Sequence, residues 1–578
     1  MFKKKLVATL GAAALLMVPV SGYAKTNTSK VETTVPVQLL AINDLHGNIG
    51  ESYKATDGTP IGGAASLAYN FEQEKAAFAK KNKLKSTTTN TLSIQAGDLV
   101  GGSPSYSSLL QDEPTMNVAN AMKFQVGALG NHEFDEGIEE FQRILKGQAP
   151  TTATQNYDLV KDYKQTKSDM EVLSANIVDK KTKKQVAGFK PYTVKKVNGV
   201  KVGFIGVVTP DIKQVVLSKY VENIEVTDPA KAIAKYDKAL RKEGVNAIVV
   251  IAHSGAYNTN ADTSIETQGQ EKVAGQSVDM LKELEKIDPN HSVDVVFGGH
   301  DHNFANGVYK NTRIIEAKSF GKAYSVVEGT LSKKTKDFTK TPSAKVKYNY
   351  MKTDEEINSN KVSKSVNNIV NTAKDLVKET TDKPIATAAF ESISKDRAAY
   401  PLGGSPVGNL VTDAQLYDAN TNGYKADFAM TNSGGIRADL TTVKDGDKNV
   451  ITWGKAQAVQ PFGNYLKVVT MTGANIKEAI NQQFTGGYGL EVSGLHYTYN
   501  AKGVVDVFVG NTEEKIDPTK SYNVVINDFI AGGGDNFPAF KTATNEQIIE
   551  IDTDAFINYL SSVKHVEASK DVRNVKVD

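Results

Sequence analysis

Val37-Gln38-Leu39-Leu40-Ala41-Ile42-Asn43-Asp44-Leu45-His46-Gly47-Asn48 runs an aliphatic stretch straight into an acid and an imidazole two residues apart. Residues 37–42 read as a strand buried on both faces. In extended chain, Asp44 and His46 project to the same side. Runs of the same kind occur at residues 92–94, 202–208, 247–251 and 293–297, with helical patterns such as 65–80 and 229–243 between them. The alternation predicts an α/β sheet covered by helices.

Asp98 follows the second strand in Ala96-Gly97-Asp98, and Asn131 and His132 follow residues 126–129 in Gly130-Asn131-His132-Glu133-Phe134-Asp135. His253 follows residues 247–252, and His300 and His302 follow 293–297 in Gly298-Gly299-His300-Asp301-His302. Five apolar strands thus each end in a residue type that ligates metals, at the strand ends where α/β sheets assemble their sites. Most of the chain's eight histidines fall in these segments. The mixture of imidazole, carboxylate and amide suits a borderline divalent ion, Zn or Mn, rather than Ca. Seven candidate ligands exceed what one tetrahedral ion needs, and two ions sharing Asp98 fit the count.

The chain has 578 residues and therefore more than one core. Lys3, Lys4 and Lys5, the apolar residues 6–20 and Ser21-Gly22-Tyr23-Ala24 form a signal-peptide pattern with cleavage after Ala24. No other apolar run is long enough to span a bilayer, so a secreted or extracellular mature chain without a transmembrane anchor is expected, with surface or wall association and a periplasmic location left open. Lys and Arg number 68 against 66 Asp and Glu, a near balance that offers no footprint for polymeric nucleic acid. The absence of cysteine excludes disulfides, thiol nucleophiles and thiolate ligands.

The ordered set Asp44-x-His46, Gly97-Asp98, Gly130-Asn131-His132-Glu133, His253 and Gly299-His300-x-His302 resembles the calcineurin-like metallophosphoesterase signature. The resemblance implies one metal site of Asp44, His46, Asp98 and His302, and a second of Asp98, Asn131, His253 and His300. It also implies that His132 stabilises or protonates the transferring group, with Asp135 orienting its imidazole. The alternative for Asp135 is a cap on the following helical segment.

The second half carries four further blocks: residues 408–414 opening a helix, Asn432-Ser433-Gly434-Gly435-Ile436-Arg437, Pro461-Phe462-Gly463-Asn464, and residues 527–535 running from a strand into Gly532-Gly533-Gly534-Asp535. An arginine in a Gly-rich turn can fork onto a phosphate. Two loop phenylalanines can sandwich a base, and a carboxylate can accept from ribose hydroxyls. Paired with the first half, these blocks resemble the 5′-nucleotidase family, which includes UDP-sugar hydrolases and cyclic phosphodiesterases. That resemblance implies a four-layer α/β/β/α metallophosphoesterase domain (25–350), a linking helix (351–381) and a separate α/β nucleotide-binding domain (382–578) that rotates between open and closed forms. Residues 354–381 have the spacing of a single amphipathic helix. Carried across by motif, Phe462 and Phe529 stack on the base, Asn464 meets its edge, Asp535 holds the ribose, and Arg437 and Asn432, with Gly434 between them, hold phosphate and base or ribose. Relatives carry one or two more arginines before the Gly408-Asn409-Leu410 block. Here Arg397 can fill one such place, leaving fewer cations for the phosphate.

The expected function is a two-metal phosphohydrolase that splits nucleoside 5′-monophosphates by a metal-activated water. A 2′,3′-cyclic phosphodiesterase/3′-nucleotidase or a UDP-sugar hydrolase is the alternative, since all share the metal residues.

Overall fold

The computed structural model describes residues 33–151, 155, 157–259, 265, 272–396, 404–486 and 488–578. The expected leader and Arg397 lie outside the described residues. The first half is built from β1 (Thr34–Ile42), α1 (Ala64–Lys81), β2 (Thr91–Ala96), α2 (Glu113–Ala121), β3 (Val126–Ala128), β4 (Glu171–Leu173), β5 (Tyr192–Val197), β6 (Val200–Val208), α3 (Pro229–Lys242), β7 (Ala247–His253), α4 (Gln276–Ile287), β8 (Val293–Phe297), β9 (Phe304–Tyr309), β10 (Thr312–Ala317), β11 (Ala323–Ser332) and β12 (Ser343–Tyr348). One sheet runs β12-β11-β1-β2-β3-β4 and the other β9-β10-β8-β7-β6-β5, with parallel pairing at the centre of each.

Strand alternation produces the layering. On β1, Val35, Val37, Leu39 and Ala41 point into a core shared with Phe204, Val249, Ile251 and Val295 of the facing sheet. Leu40 and Ile42 point the other way, onto Leu67 and Phe71 of α1. On β7, Ile248 and Val250 meet Ile233 and Leu240 of α3 and Leu281 and Leu284 of α4. Both faces of both sheets are therefore covered, which is why these strands read as largely apolar runs, interrupted at single positions such as Gln38, Ser93 and Asp294. The order helix, sheet, sheet, helix is the expected four-layer architecture.

The linking segment differs from the sequence reading. It forms two helices, α5 (Asp354–Ser359) and α6 (Lys361–Thr381), broken at Asn360, whose φ of −114° and ψ of 131° are extended. The side-chain oxygen of Asn360 accepts from the backbone N–H of Val362 and Ser363 at 2.8 and 3.2 Å. An asparagine that can satisfy two free N–H groups starts a new helix more cheaply than it continues the old one. Val366, Val370, Ala373 and Val377 of α6 are buried in the helical layer of the first half, against α1 and α2.

The second half contains α7 (Pro406–Thr421), β13 (Phe428–Asn432), β14 (Tyr465–Thr472), α8 (Gly473–Gln482), β15 (Leu490–Ser493), β16 (Ser521–Asn527), β17 (Thr544–Ile551) and α9 (Asp552–Val563). Its main sheet has the order β15-β13-β16-β14-β17. Helix α8 covers one face through Ile476 and Ile480, and Ala419 of α7 and Ala555 of α9 pack on the other. Among the described residues, no helix is long and apolar enough to cross a membrane.

Candidate functional site

All five ligand-bearing segments leave the carboxyl ends of β1, β2, β3, β7 and β8. The expected extended-chain geometry of Asp44 and His46 is not what brings them together. Both lie in the left-handed region, with φ of 50° and 47°, as do Asp98 at 51°, His300 at 86° and His302 at 58°. Side chains other than glycine rarely tolerate this conformation, and such strain collects where function demands it. Sharp turns, not strand periodicity, point these side chains inward. Asp44, His46 and His253 are fully buried, and Asp98 and Asn131 are nearly so.

The donor atoms converge in two groups. Asp44, His46 and His302 form one and Asp98, His253 and His300 the other, the donor atoms of each lying within 4.8 Å of one another. The Nε2 atoms of His46 and His302 stand 3.0 Å apart. Asp98 Oδ2 lies 3.6 Å from His46 Nε2 and 3.1 Å from His253 Nε2, so it sits between the groups. Asn131 Oδ1 is 3.1 Å from His253 Nε2. The Nδ1 of His46 faces the Gly101 carbonyl and that of His253 the Ala96 carbonyl, each at 2.9 Å. Those carbonyls turn both Nε2 atoms toward the centre.

The electrostatics fit a cationic occupant. Burial pushes the Asp44 carboxyl up to about 7; His253 pulls it back and Asp98 adds to the rise. Burial lowers His46 and His302 well below the ordinary imidazole range and takes His300 to about 3, with neighbouring histidines reinforcing each shift. Burial opposes charge on His253 too, but Asp98 outweighs it and raises that imidazole to about 10. Acids and imidazoles so placed form a donor set that could hold a divalent cation, without which burying such acids is costly.

Two glycines permit the approach. A β-carbon on Gly97 would lie 2.3 Å from His253 Nδ1, and one on Gly130 would lie 2.2 Å from Asp98 Oδ1. Glu133, quoted in the sequence motif but given no role there, accepts from the backbone N–H of Asp98 and Leu99 at 3.1 and 2.8 Å. It thereby ties the Asp98 turn to the Asn131 turn.

His132 also reaches His46 and Asp98. Its Nδ1 lies 2.8 Å from Asp135 Oδ2, while the next helix, Ile138–Lys146, is preceded by Gly137 with no side-chain cap. The hydrogen bond favours the orienting alternative for Asp135 over the capping one. Burial opposes charge on His132, but Asp135 and Asp98 outweigh it and raise the pKa.

The second half closes over this centre. One cavity of about 430 Å³ is lined by Asp98, Asn131, His132, His300 and His302 from the first half and by Asn432, Arg437, Phe462, Phe529 and Asp535 from the second. Asp135, Gly434 and Asn464 line it as well. The Phe462 ring stacks on His132 at 5.6 Å and 12°, and the Arg437 guanidinium lies 5.4 Å from the centroid of the same ring. Arg437 Nη2 is buried without a hydrogen-bond partner among the described residues. Asn432 Nδ2 donates to Asp535 Oδ2 at 2.7 Å, and Asn464 Nδ2 to Asp552 Oδ2 at 3.2 Å. Burial pushes Asp535 up to about 6, against the Asn432 hydrogen bond and Arg437. Between β16 and its glycines a helical turn, Asp528–Ala531, intervenes where the sequence suggested a direct loop; Asn527 caps it by accepting from Ile530 N–H at 2.9 Å.

Of the candidate residues among the described ones, all line this cavity except Asp44, His46 and His253, which lie buried in the two donor groups beside it. The same cavity is lined by residues 215–217, Asp301 and Tyr488, which sequence reasoning missed. Apolar residues after a short helix and a lone tyrosine carry no motif; only the meeting of the two halves brings them here.

Two family models match the chain, calcineurin-like phosphoesterase over residues 37–304 and 5′-nucleotidase, C-terminal domain, over residues 356–542. The cell wall protein Lmo0130 of Listeria monocytogenes is 43% identical, covering 99% of this chain and 74% of its own length. The NAD 5′-nucleotidase of Haemophilus influenzae is 26% identical over 98% of this chain and 96% of that protein. Among solved structures, the 5′-nucleotidase precursor of Thermus thermophilus matches with a TM-score of 0.71 at 25% identity, covering 94% of this chain and 99% of the other.

Proposed function

The chain belongs to the family that joins a calcineurin-like phosphoesterase domain to a 5′-nucleotidase C-terminal domain, and on that premise we propose that it is an exported hydrolase of nucleoside 5′-monophosphates. That it is a metal-dependent phosphoesterase follows from the family; the substrate and the roles below are the proposal. The observation that carries it is the shared cavity, in which Asp98, Asn131, His300 and His302, four of the seven candidate ligands, line one wall and Arg437, Phe462 and Phe529 another, with Arg437 Nη2 lacking a hydrogen-bond partner among the described residues.

Asp44, His46, Asp98 and His302 would hold one divalent cation, and Asp98, Asn131, His253 and His300 a second, Zn or Mn by the donor chemistry. When bound, two such cations neutralise phosphoryl oxygens and lower the pKa of a water for in-line attack. Arg437 donates from its free Nη2 to a phosphoryl oxygen. His132, its Nδ1 committed to Asp135, keeps Nε2 for the leaving oxygen of the nucleoside, where it delivers or shares a proton. Phe462 and Phe529 flank the base and Asn464 meets its edge. Asp535, oriented by Asn432 beside Gly434, accepts from a ribose hydroxyl. Reaction requires that both halves grip one nucleotide at once, which separates this site from a bare metal hydrolase.

Export is supported by the leader pattern of residues 1–24, and retention at the cell surface by similarity to a cell wall protein. One observation favours a broader substrate range: among the described residues Arg437 is the one arginine lining the cavity. A single guanidinium suits cyclic or sugar-linked phosphodiesters, with one negative charge per phosphate, better than a dianionic monoester.

The test is hydrolysis of AMP, UDP-glucose and 2′,3′-cyclic AMP, read as nucleoside, nucleotide and phosphate products, with Mn or Zn and with chelator, for wild type, Asp98→Asn and Arg437→Ala. Metal-dependent phosphate release from AMP, abolished in the first variant and weakened in the second, is expected. Turnover confined to the cyclic or sugar-linked substrate would replace this reading with the diesterase one, and no turnover on any would remove the nucleotide from the proposal.

A further inference from the structure

Strand β10 carries no ligand, yet its carboxyl end touches most of the ligand loops. Glu316 is fully buried there. One carboxylate oxygen accepts from Ala256 N–H at 2.7 Å, three residues after His253. The other accepts from Asn303 N–H at 2.8 Å, next to His302. The neighbouring residues extend the attachment. Ile315 carbonyl accepts from Gly298 N–H at 2.8 Å, Lys318 N–H donates to the Asn303 carbonyl at 2.7 Å, and Phe320 N–H donates to the Asp44 carbonyl at 2.7 Å. Ala317 N–H donates to Asn43 Oδ1 at 2.9 Å, and Asn43 Nδ2 in turn donates to Asp44 Oδ2 at 2.6 Å.

We propose that Glu316 is a positioning residue of the metal centre, clamping the His253 turn to the His300–His302 turn so that both deliver their imidazoles to one place. The inference rests on reading those histidines as metal ligands. Three considerations carry it. His300 and His302 hold left-handed backbone conformations that relax unless the surroundings over-determine them. Two N–H groups from different loops need two acceptors and no donor, which a carboxylate supplies and an amide side chain does not. An acid in this place is costly for the fold alone, because full burial takes its charge out of water. Simple packing would be served by an apolar residue, so the acid is explained by what it holds.

The experiment is calorimetric titration of metal-free protein with Mn²⁺ for wild type, Glu316→Gln and Glu316→Leu, alongside the melting temperature of each metal-free protein. Glu316→Gln keeps the shape but turns an NH₂ group on one N–H, so its half-saturating Mn²⁺ should rise about 10-fold or more, within the range for partners that orient ligands. Its metal-free melting temperature should stay close to wild type. Glu316→Leu should weaken Mn²⁺ further, and if it does not fold, the glutamine variant decides alone. Wild-type Mn²⁺ affinity in Glu316→Gln would overturn the proposal and leave Glu316 a structural residue. Wild-type protein that takes up no Mn²⁺ would instead overturn the metal reading, and this clamp with it.

Discussion

The metal half and the nucleotide half of the cavity meet where Phe462 stacks on His132 at 5.6 Å, yet they are built by different means. Asp44, His46 and Asp98 sit on strained turns directly after central strands, buried to 1% exposure or less and held by backbone carbonyls and N–H groups. Arg437, Phe462 and Phe529 sit on loops and a helical turn of the second half, half-buried, with Arg437 Nη2 lacking a hydrogen-bond partner among the described residues. On the proposed reading, the first set answers a cation that tolerates little error in ligand position, and the second answers a planar base and a flexible phosphate, for which a face and a fork suffice. Rigid geometry therefore belongs to the chemistry common to all substrates, and looser geometry to the choice among them.

That contrast can be broken experimentally. Replacing His132 with Ala should lower kcat by roughly 10²–10⁴-fold, the usual worth of a positioned proton donor. The loss should be larger for AMP, whose leaving alkoxide needs a proton, than for bis(4-nitrophenyl) phosphate, whose nitrophenolate does not, measured side by side. Equal losses on both substrates would assign His132 to the support of the metal half instead. A smaller and selective effect is expected for Phe529→Ala: one stacked ring is worth roughly 1–3 kcal/mol, so kcat/KM for AMP should fall about 10-fold or more while the nitrophenyl diester is spared. Equal losses on both substrates would mean that Phe529 supports the metal half. Smallest is Asn360→Ala, which removes the cap of α6 and should cost about 1 kcal/mol of stability in thermal denaturation with neither rate changed. A change in rate would show that the linking helix transmits more than support.

Much of this site was legible because burial and chemistry coincide in the chain. A strand covered on both faces must be apolar throughout, so the first polar residues after it stand out. In five places those were aspartate, asparagine or histidine. In the second half no single block had that contrast, and Phe462 or Phe529 alone would pass for core; their reading depended on the company of the others. Glu316 was invisible for the opposite reason, since it lies inside a strand of mixed composition and acts through backbone groups of distant loops. The break at Asn360 escaped because apolar spacing continues across it, and only the side chain's own hydrogen bonds reveal the new start.

By itself the sequence determined the alternation of apolar strands with helices in the first half, the candidate ligand types and their attachment to strand ends, because periodicity and residue chemistry are local properties. Tertiary structure decided which turns converge and how far apart their atoms lie. It also decided which residues that look ordinary, such as Tyr488 and residues 215–217, wall the cavity with them. Convergence depends on sheet register, backbone strain and the packing of one half on the other. These are relations between segments hundreds of residues apart, and no local pattern encodes them.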